Sequence, residues 1–319
     1  MIFSNFNTTI NEYTFCIGYA MMIVNFIVLF FLGIYLDLII PYAEGTALPF
    51  YFIFLPSFWC SEYTINNKID TDNLVDESML GIKNYEQIGE VLKVQEDSGE
   101  CLKIRNIEKI YQNGKQALEK VSFNLYKNQI FSLLGHNGAG KTTLINILTG
   151  ILAPTKGTAT YSGIDFFKQM HIIRKLIGLC PQNNILFPSL TTREHLRIFS
   201  TFKGSENLKL PDKEIELLIN DLNMSEYADT IVSNLSEGQK RCVSIALAYI
   251  GNSSIIILDE PTSGMDITAR RCVWGMLKKY KSNKIIILTT HFMEEADCLG
   301  DRIAIMDEGN VKCLGSLFS

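Results

Sequence analysis

Two kinds of hydrophobic pattern divide the chain. Residues 15–36 are almost continuously apolar, broken only by Asn25 and small residues. A helix of that length extends about 33 Å, which is enough to cross a bilayer core of roughly 30 Å. The pattern therefore predicts one transmembrane helix. A signal peptide fits poorly, because no Lys or Arg precedes the run and the run is too long, and a buried core helix is the other alternative.

The stretch after this helix is typical of a membrane interface. Residues 41–59 are aromatic and interrupted by prolines, which argue against a second spanning helix. Residues 61–99 are polar and acidic without sustained periodicity. No Lys or Arg occurs before Lys68, so the positive-inside rule places the C-terminal side in the cytoplasm. We assign residues 1–67 to a membrane segment and 68–99 to a linker.

From Cys101 onward, short apolar runs alternate with helical patterns. Apolar strands alternating with helices predict an α/β fold with a parallel sheet covered on both faces. Residues 188–249 lack strand patterns and predict an inserted helical subdomain. The predicted strands are 102–107, 121–125, 130–134, 177–180, 255–258, 284–288 and 302–306. The predicted helices are 142–148, 193–202, 212–222, 237–249, 267–280 and 292–298.

A glycine-rich loop lies between a predicted strand and a predicted helix. It fits G-x-x-x-x-G-K-[ST], the phosphate-binding loop, although a chance glycine-rich turn can match the same pattern. Glycines let backbone N–H groups approach phosphate oxygens, and the helix N-terminus adds unpaired donors. Lys141 is expected to reach the β- and γ-phosphates of ATP, and Thr142 to ligate Mg²⁺. The loop consists of Gly135, His136, Asn137, Gly138, Ala139, Gly140, Lys141, Thr142 and Thr143.

Two further patterns carry candidate chemistry. The apolar strand 255–258 ends in Asp259 and Glu260. Asp259 is placed to hold Mg²⁺ through water, and Glu260 to act as general base on an attacking water; a solvated strand end is the plain alternative. Ser236 and Gln239 form a capping box, and the same helix N-terminus could also face a phosphate.

The amino-acid composition limits the classes of function that this chain can have. The chain has 319 residues and a net charge of −5, so it lacks the excess of positive charge that is typical of nucleic-acid-binding proteins. A hydrophobic content of 47% is high for a soluble chain and agrees with a membrane segment. The eight cysteines have no C-x-x-C spacing, which favours free thiols in a reducing cytosol over a zinc site or disulfides.

Taken in order, these motifs resemble those of ATP-binding cassette (ABC) transporters, and residues 100–319 resemble their nucleotide-binding domain, a P-loop NTPase fold. Three stretches resemble the sequences of subfamily A, whose members are mainly lipid exporters and flippases. They are residues 135–143, residues 288–297 and the aromatic segment that precedes the domain. The last two stretches are more similar to that subfamily's first nucleotide-binding domain than to its second. The ordered set is the phosphate loop, Gln182 after Pro181, the signature Leu235-Ser236-Glu237-Gly238-Gln239, Asp259-Glu260, Asp266 and His291.

The resemblance implies roles for single residues. Tyr111 would stack on adenine, Gln182 would contact Mg²⁺ or water, and His291 would hydrogen-bond the γ-phosphate. Asp266 would belong to the nucleotide-binding set. His291 with its neighbours does not form H-E-x-x-H, so a zinc site is rejected.

The resemblance also implies a partner. In this family two cassettes face each other, so Ser236, Gly238 and Gln239 would serve the ATP held by a second cassette. ATP closes the pair, hydrolysis releases it, and the membrane helices alternate access to a substrate that subfamily A suggests is a lipid. The implied protein is an integral membrane ATPase with a cytoplasmic cassette.

Departures from the pattern keep a second function open. Glu237 stands where the family has glycine, and a carboxylate near the γ-phosphate adds like-charge repulsion unless it turns outward. One membrane helix and one cassette suggest a fragment or truncated product. The alternative to an ATPase motor is therefore a regulatory or degenerate cassette with little hydrolysis. A soluble ABC ATPase is opposed by residues 15–36.

Overall fold

The computed structural model describes residues 9–10, 13–39, 50, 90–111, 114–203, 210–251 and 253–316. The chain divides into two compact units, Met1–Asn66 and Asn67–Ser319. In the first unit, a short antiparallel hairpin of β1 (Thr9–Ile10) and β2 (Tyr13–Thr14) precedes helix α1 (Phe15–Ile39).

Helix α1 confirms the predicted apolar helix and continues three residues beyond it. Its segment Ile17–Asp37 has a mean hydropathy of 2.4 and is long and apolar enough to cross a membrane. Among the described residues, the side chains of this segment are exposed rather than packed against other elements. Apart from Phe50, the predicted interfacial stretch 41–59 lies outside the described residues.

The described residues of the second unit form two sheets. The larger has the order β12-β11-β5-β10-β9-β8, and its neighbours are parallel except for the antiparallel pair of β11 and β12. The smaller is antiparallel, with the order β4-β3-β6-β7. The strands are β3 (Leu102–Ile110), β4 (Gln116–Leu125), β5 (Gln129–Leu134), β6 (Lys156–Tyr161), β7 (Ile164–Asp165), β8 (Ile177–Cys180), β9 (Ile255–Asp259), β10 (Ile285–Thr290), β11 (Arg302–Asp307) and β12 (Asn310–Ser316).

Alternation along the central strands divides the core into two layers. On β9, Ile256 and Leu258 pack with helix α7 (Glu237–Tyr249), whereas Ile255 and Ile257 pack with helix α3 (Lys141–Leu148) and the small sheet. Both faces of the parallel sheet are therefore covered, as predicted. The helices of this unit are α2 (Glu90–Asp97), α3 (Lys141–Leu148), α4 (Met170–Leu176), α5 (Thr192–Phe202), α6 (Leu210–Asp221), α7 (Glu237–Tyr249), α8 (Ile267–Lys279) and α9 (Met293–Leu299).

The sequence patterns missed several elements. The first two predicted strands form the separate antiparallel sheet with β6 and β7. Strand β6 is rich in polar residues and glycine and resembles a turn, and β7 has only two residues. Part of the segment assigned to the linker is helix α2. It packs beside the end of β4, because Gln95 accepts a hydrogen bond from the Lys127 amide at 3.0 Å and Glu96 accepts one from the Tyr126 hydroxyl.

Candidate functional site

The candidate site lies at the carboxyl edge of the parallel sheet. Strands β8, β9, β10 and β5 are neighbours and end at this edge, and the loops that follow them carry the candidate residues. Ligands of open α/β sheets bind at this edge. The residues that follow the four strands are Gln182 after β8, Glu260 after β9, His291 after β10, and the phosphate loop after β5.

The phosphate loop has the predicted flanks, strand β5 and helix α3. Gly140 caps the helix with φ +103°, a left-handed conformation that favours glycine. A Cβ on Gly140 would lie 2.8 Å from the Ala117 carbonyl oxygen, and one on Gly135 would lie 2.5 Å from the Met306 carbonyl oxygen. Glycine is thus required at both positions by close backbone approach, which compacts the loop around the N-terminus of α3.

Lys141 is held inside this loop. Its ammonium donates to the carbonyl oxygens of Gly135 at 2.7 Å and His136 at 3.1 Å, and the residue is only 5% exposed. Burial lowers the pKa of Lys141, while the nearby carboxylates of Glu260 and Asp259 oppose the shift. The site therefore places a desolvated cation beside two acidic residues.

His136 anchors the loop from the other side. Its Nε2 lies 2.7 Å from Asp307 Oδ1 and its Nδ1 lies 2.8 Å from the Asn137 carbonyl oxygen. The bonds to the Asn137 carbonyl and the Asp307 carboxylate raise the pKa of His136, because both favour the doubly protonated ring. Sequence analysis assigned His136 to nucleotide contact; in the structure its ring bonds within the loop and to the end of β11.

The two consecutive carboxylates at the end of β9 have different surroundings. Asp259 is buried, and burial raises its pKa, while hydrogen bonds from the Thr289 and Thr142 hydroxyls oppose that shift. Glu260 has φ +48°, a left-handed backbone that turns its side chain away from that of Asp259. The Thr289 hydroxyl donates to Asp259 Oδ1 at 2.5 Å and accepts from the Glu260 amide at 2.9 Å.

Glu260 meets two other predicted catalytic residues. Its Oε1 lies 3.4 Å from His291 Nδ1, and Gln182 donates from Nε2 to its Oε2 at 3.5 Å. The Glu260 side chain is 10% exposed and that of His291 is 36% exposed. Glu260, Gln182 and His291 thus form one cluster at the mouth of the site. In the sequence, Gln182 lies 78 positions before Glu260 and His291 lies 31 positions after it.

Tyr111 lies beside the start of α3. Its hydroxyl oxygen is 3.4 Å from Thr143 Oγ1, its ring is partly exposed, and Lys109 lies over the ring at 5.6 Å. An exposed aromatic face next to the phosphate loop can stack on a planar base. The structure thus brings Tyr111 to the loop, as its predicted role requires.

The oxygen ligands near the loop fit a magnesium ion that is shared with phosphates. Thr142 and Asp259 are hydrogen-bonded to each other, so both of their oxygens reach one point beside the loop. In the described part of the chain, no group of three or more His, Cys, Asp or Glu side chains could hold a metal. Mg²⁺ takes one or two protein ligands together with phosphate and water oxygens.

The signature residues do not join this cluster. Ser236 accepts from the Gln239 amide at 3.3 Å, and Gln239 accepts from the Ser236 amide at 2.9 Å, which completes the predicted capping box at the start of α7. Gly238 lies on the first turn of the same helix. Asp266 caps α8 by accepting from the Ala269 amide at 2.7 Å. Within the described residues, no hydrogen bond of Ser236, Gln239 or Asp266 reaches the phosphate loop.

Sequence reasoning missed two residues of the site. Thr289 pairs with Asp259 across β10 and β9, so its position directly after the predicted strand 284–288 was the available signal. Arg241 is buried on α7 and donates to the carbonyl oxygens of Gln182 at 3.0 Å and Glu260 at 3.0 Å. A charged residue on the otherwise apolar side of a predicted helix was its signal.

The sequence is similar to those of known proteins. Residues 118–263 match the family model described as "ABC transporter". The chain is 38% identical over 318 residues to the ATP-binding cassette sub-family A member 2 of Rattus norvegicus, with 96% of this chain and 13% of that protein covered. It is 40% identical over 285 residues to the phospholipid-transporting ATPase ABCA3 of Homo sapiens, with 88% of this chain and 16% of that protein covered. The chain thus spans only a small part of these relatives.

Solved structures agree with the fold. A dimeric post-hydrolysis state of the ATP-binding cassette MJ0796, bound to ADP and Pi, superposes with a TM-score of 0.62 and 28% identity, covering 68% of this chain and 98% of that one. An ATP-binding subunit of an ABC transporter superposes with a TM-score of 0.63 and 26% identity, covering 68% of this chain and 90% of that one.

Proposed function

Because this chain carries a nucleotide-binding cassette of the ABC transporter family, with subfamily A relatives, we propose that it binds Mg-ATP, hydrolyses it, and drives transport of a lipid across a membrane. The observation that carries the proposal is the meeting of Gln182, Glu260 and His291 beside the loop that holds Lys141. These side chains come from three adjacent strand ends and face one edge of the sheet.

Each residue has a role suited to its surroundings. Lys141 and the backbone N–H groups of the loop bind the β- and γ-phosphates, and Tyr111 stacks on adenine. Thr142 and Asp259 hold Mg²⁺, which when bound neutralises charge on the phosphate oxygens. Glu260 accepts the proton of the attacking water, and Gln182 and His291 position that water and the γ-phosphate.

A second cassette completes the site. Ser236 caps helix α7, and its N–H group and that of Gln239 bond within the capping box, whereas Gly238 lies on the first turn, where backbone N–H groups have no partner within the helix. We place the phosphate of a second cassette at this end of α7. The solved cassette MJ0796, which resembles this chain, is described as dimeric. The partner is another cassette of the transporter or, in a purified sample, a second copy of this chain.

The transport half of the proposal rests on relatives and on α1. ABCA3 of Homo sapiens is named a phospholipid-transporting ATPase, and α1 has the length and apolar surface to span a bilayer. The Lys and Arg residues of this sequence all follow the helix, which supports a cytoplasmic cassette. The substrate class is therefore a lipid, carried by the membrane helices of the assembled transporter.

A second candidate function is a cassette that binds ATP and closes with a partner but hydrolyses little. Glu237 favours it, because its carboxylate occupies the signature turn and is 74% exposed on its side chain. Such a carboxylate repels a γ-phosphate presented to that turn.

One experiment separates the two functions. Phosphate release per molecule is measured with the full chain in detergent from nanomolar to micromolar concentration. A shared site predicts that the rate per molecule rises with concentration, because two chains must meet. A rate that stays constant over that range contradicts the shared site. Mg-ATP binding without phosphate release at any concentration supports the regulatory cassette instead.

A further inference from the structure

Arg241 is a buried cation without a carboxylate hydrogen-bond partner among the described residues. It lies on the second turn of α7 and is 2% exposed, and its guanidinium donates mainly to backbone carbonyl oxygens. Arginine stays charged at all physiological pH values, so burying it is costly unless its donors are satisfied. The arrangement is therefore specific rather than incidental packing.

The donors of Arg241 reach two separate chain segments. One is the Gln182 loop, where Nη1 donates to the carbonyl oxygens of Pro181 and, at 3.0 Å, of Gln182. The other is the turn after β9, where Nη2 donates to the carbonyl oxygens of Asp259 and, at 3.0 Å, of Glu260. Nε donates to the Pro261 carbonyl oxygen at 3.0 Å, and Asn184 Oδ1 accepts from Nη1 at 3.4 Å.

The turn after β9 needs such support. Glu260 has φ +48°, a left-handed conformation that is costly for a residue with a side chain. The Glu260 amide donates to Thr289 Oγ1 at 2.9 Å, and its carbonyl accepts from Arg241. Hydrogen bonds therefore hold both the amide and the carbonyl of Glu260, and they fix the direction of its side chain.

We propose that Arg241 is a positioning residue that ties the Gln182 loop to the Glu260 turn, so that both side chains face the reacting phosphate together. The proposal deepens the proposed ATPase function and rests on it. Arg241 does not touch the nucleotide in this scheme. Its effect passes through backbone carbonyls to Gln182 and Glu260.

The test uses the full chain in detergent with Arg241→Met and Arg241→Lys. Methionine keeps an apolar stem without donors. Lysine keeps the charge but lacks the planar fork that reaches both segments, and it guards against a methionine variant that does not fold. Arg271→Met, an exposed arginine on α8, is the matched control. Backbone hydrogen exchange, Mg-ATP affinity, kcat and KM are measured for each.

The expected result is local and kinetic. Amides of residues 182–186 and 260–264 exchange faster in both Arg241 variants, while those of β5 and β10 keep wild-type rates. The value of kcat falls about 10- to 100-fold, because a small misplacement of a catalytic group is enough for such a loss. ATP affinity and KM stay within about threefold of wild type, since the phosphate loop is intact.

Other outcomes overturn the proposal. Unchanged exchange in the two segments shows that Arg241 does not hold them, and exchange that rises throughout the sheet shows a general loss of stability. Full recovery of kcat by lysine shows that charge alone suffices. A wild-type chain that binds ATP without turnover contradicts the ATPase function, and the exchange measurement then still decides whether Arg241 joins the two segments.

Discussion

Glu237 and Lys240 form an ion pair on the first turn of α7, with 2.8 Å between Glu237 Oε1 and Lys240 Nζ. The hydrogen bond and charge of Lys240, with a further hydrogen bond from Asn184, lower the pKa of Glu237. The carboxylate is therefore ionised at neutral pH and drawn toward Lys240. This is how the chain accommodates an acidic residue where the ABC signature has glycine.

We expect Glu237→Gly to increase the rate of phosphate release several-fold at saturating ATP. The substitution removes a negative charge from a turn that faces the partner's γ-phosphate in the proposed dimer. Glu237→Gln is the matched control, because it keeps the size of the side chain and removes only the charge. If the glycine variant is faster and the glutamine variant is not, space rather than charge limits the wild-type rate. No gain in either variant contradicts an inhibitory effect of Glu237.

Replacing Lys141 with alanine should weaken Mg-ATP binding. A charge-assisted hydrogen bond contributes about 1.5–3 kcal/mol. That loss corresponds to a roughly 10- to 150-fold higher Kd. Titration with a fluorescent ATP analogue measures the change, and Lys175→Ala, an exposed lysine on α4, is the control. Unchanged affinity in Lys141→Ala would reject the assignment of the phosphate loop.

The substitution Glu260→Gln should abolish turnover and leave ATP binding intact. The amide cannot accept the proton of the attacking water, and general-base catalysis contributes about 10²- to 10⁴-fold. Single-turnover phosphate release measures the loss, with Glu294→Gln on α9 as an exposed control. Phosphate release at the wild-type rate in Glu260→Gln would assign the base to another residue.

The stability of the cassette should depend on Lys203 and pH. Burial, together with the nearby charge of Lys284, lowers the pKa of Lys203 from 10.5 to about 8. Its ammonium donates to Ser253 Oγ at 2.7 Å at the base of the sheet. Above pH 8 the unfolded chain binds more protons at this residue than the folded chain, so its contribution to the free energy of unfolding rises with pH.

Lys203→Met removes that contribution. Between pH 7.5 and pH 9, the free energy of unfolding of wild type should gain about 1 kcal/mol relative to Lys203→Met. Urea unfolding followed by tryptophan fluorescence gives both values at each pH, so that other titrating groups cancel in the difference. A difference between the two proteins that does not change with pH would show that Lys203 keeps an ordinary pKa in the folded state.

Much of the fold was predictable from local pattern. Helix α7 and strand β8 have the predicted bounds, because each is a complete apolar or amphipathic run with a clear start. Strands β6 and β7 were not predicted, since β6 alternates polar and small side chains that resemble a turn and β7 has only two residues. Their pairing with β3 supplies the stabilisation that local pattern does not show.

The site divides in the same way. The sequence by itself determined the phosphate loop, since its glycines allow the left-handed φ that Gly140 adopts. It also determined α1, because in lipid an unbroken apolar run of that length can satisfy its backbone hydrogen bonds within the segment only as a helix. These features depend on neighbours in the chain.

Only the tertiary structure decided which distant residues act together. Thr289 meets Asp259 because β10 lies beside β9 in parallel register, and Arg241 meets the carbonyls of Gln182 and Glu260 because α7 packs against that sheet. Hydrogen bonds of this kind depend on separation in space. The order of strands in a sheet, which no local pattern encodes, sets that separation.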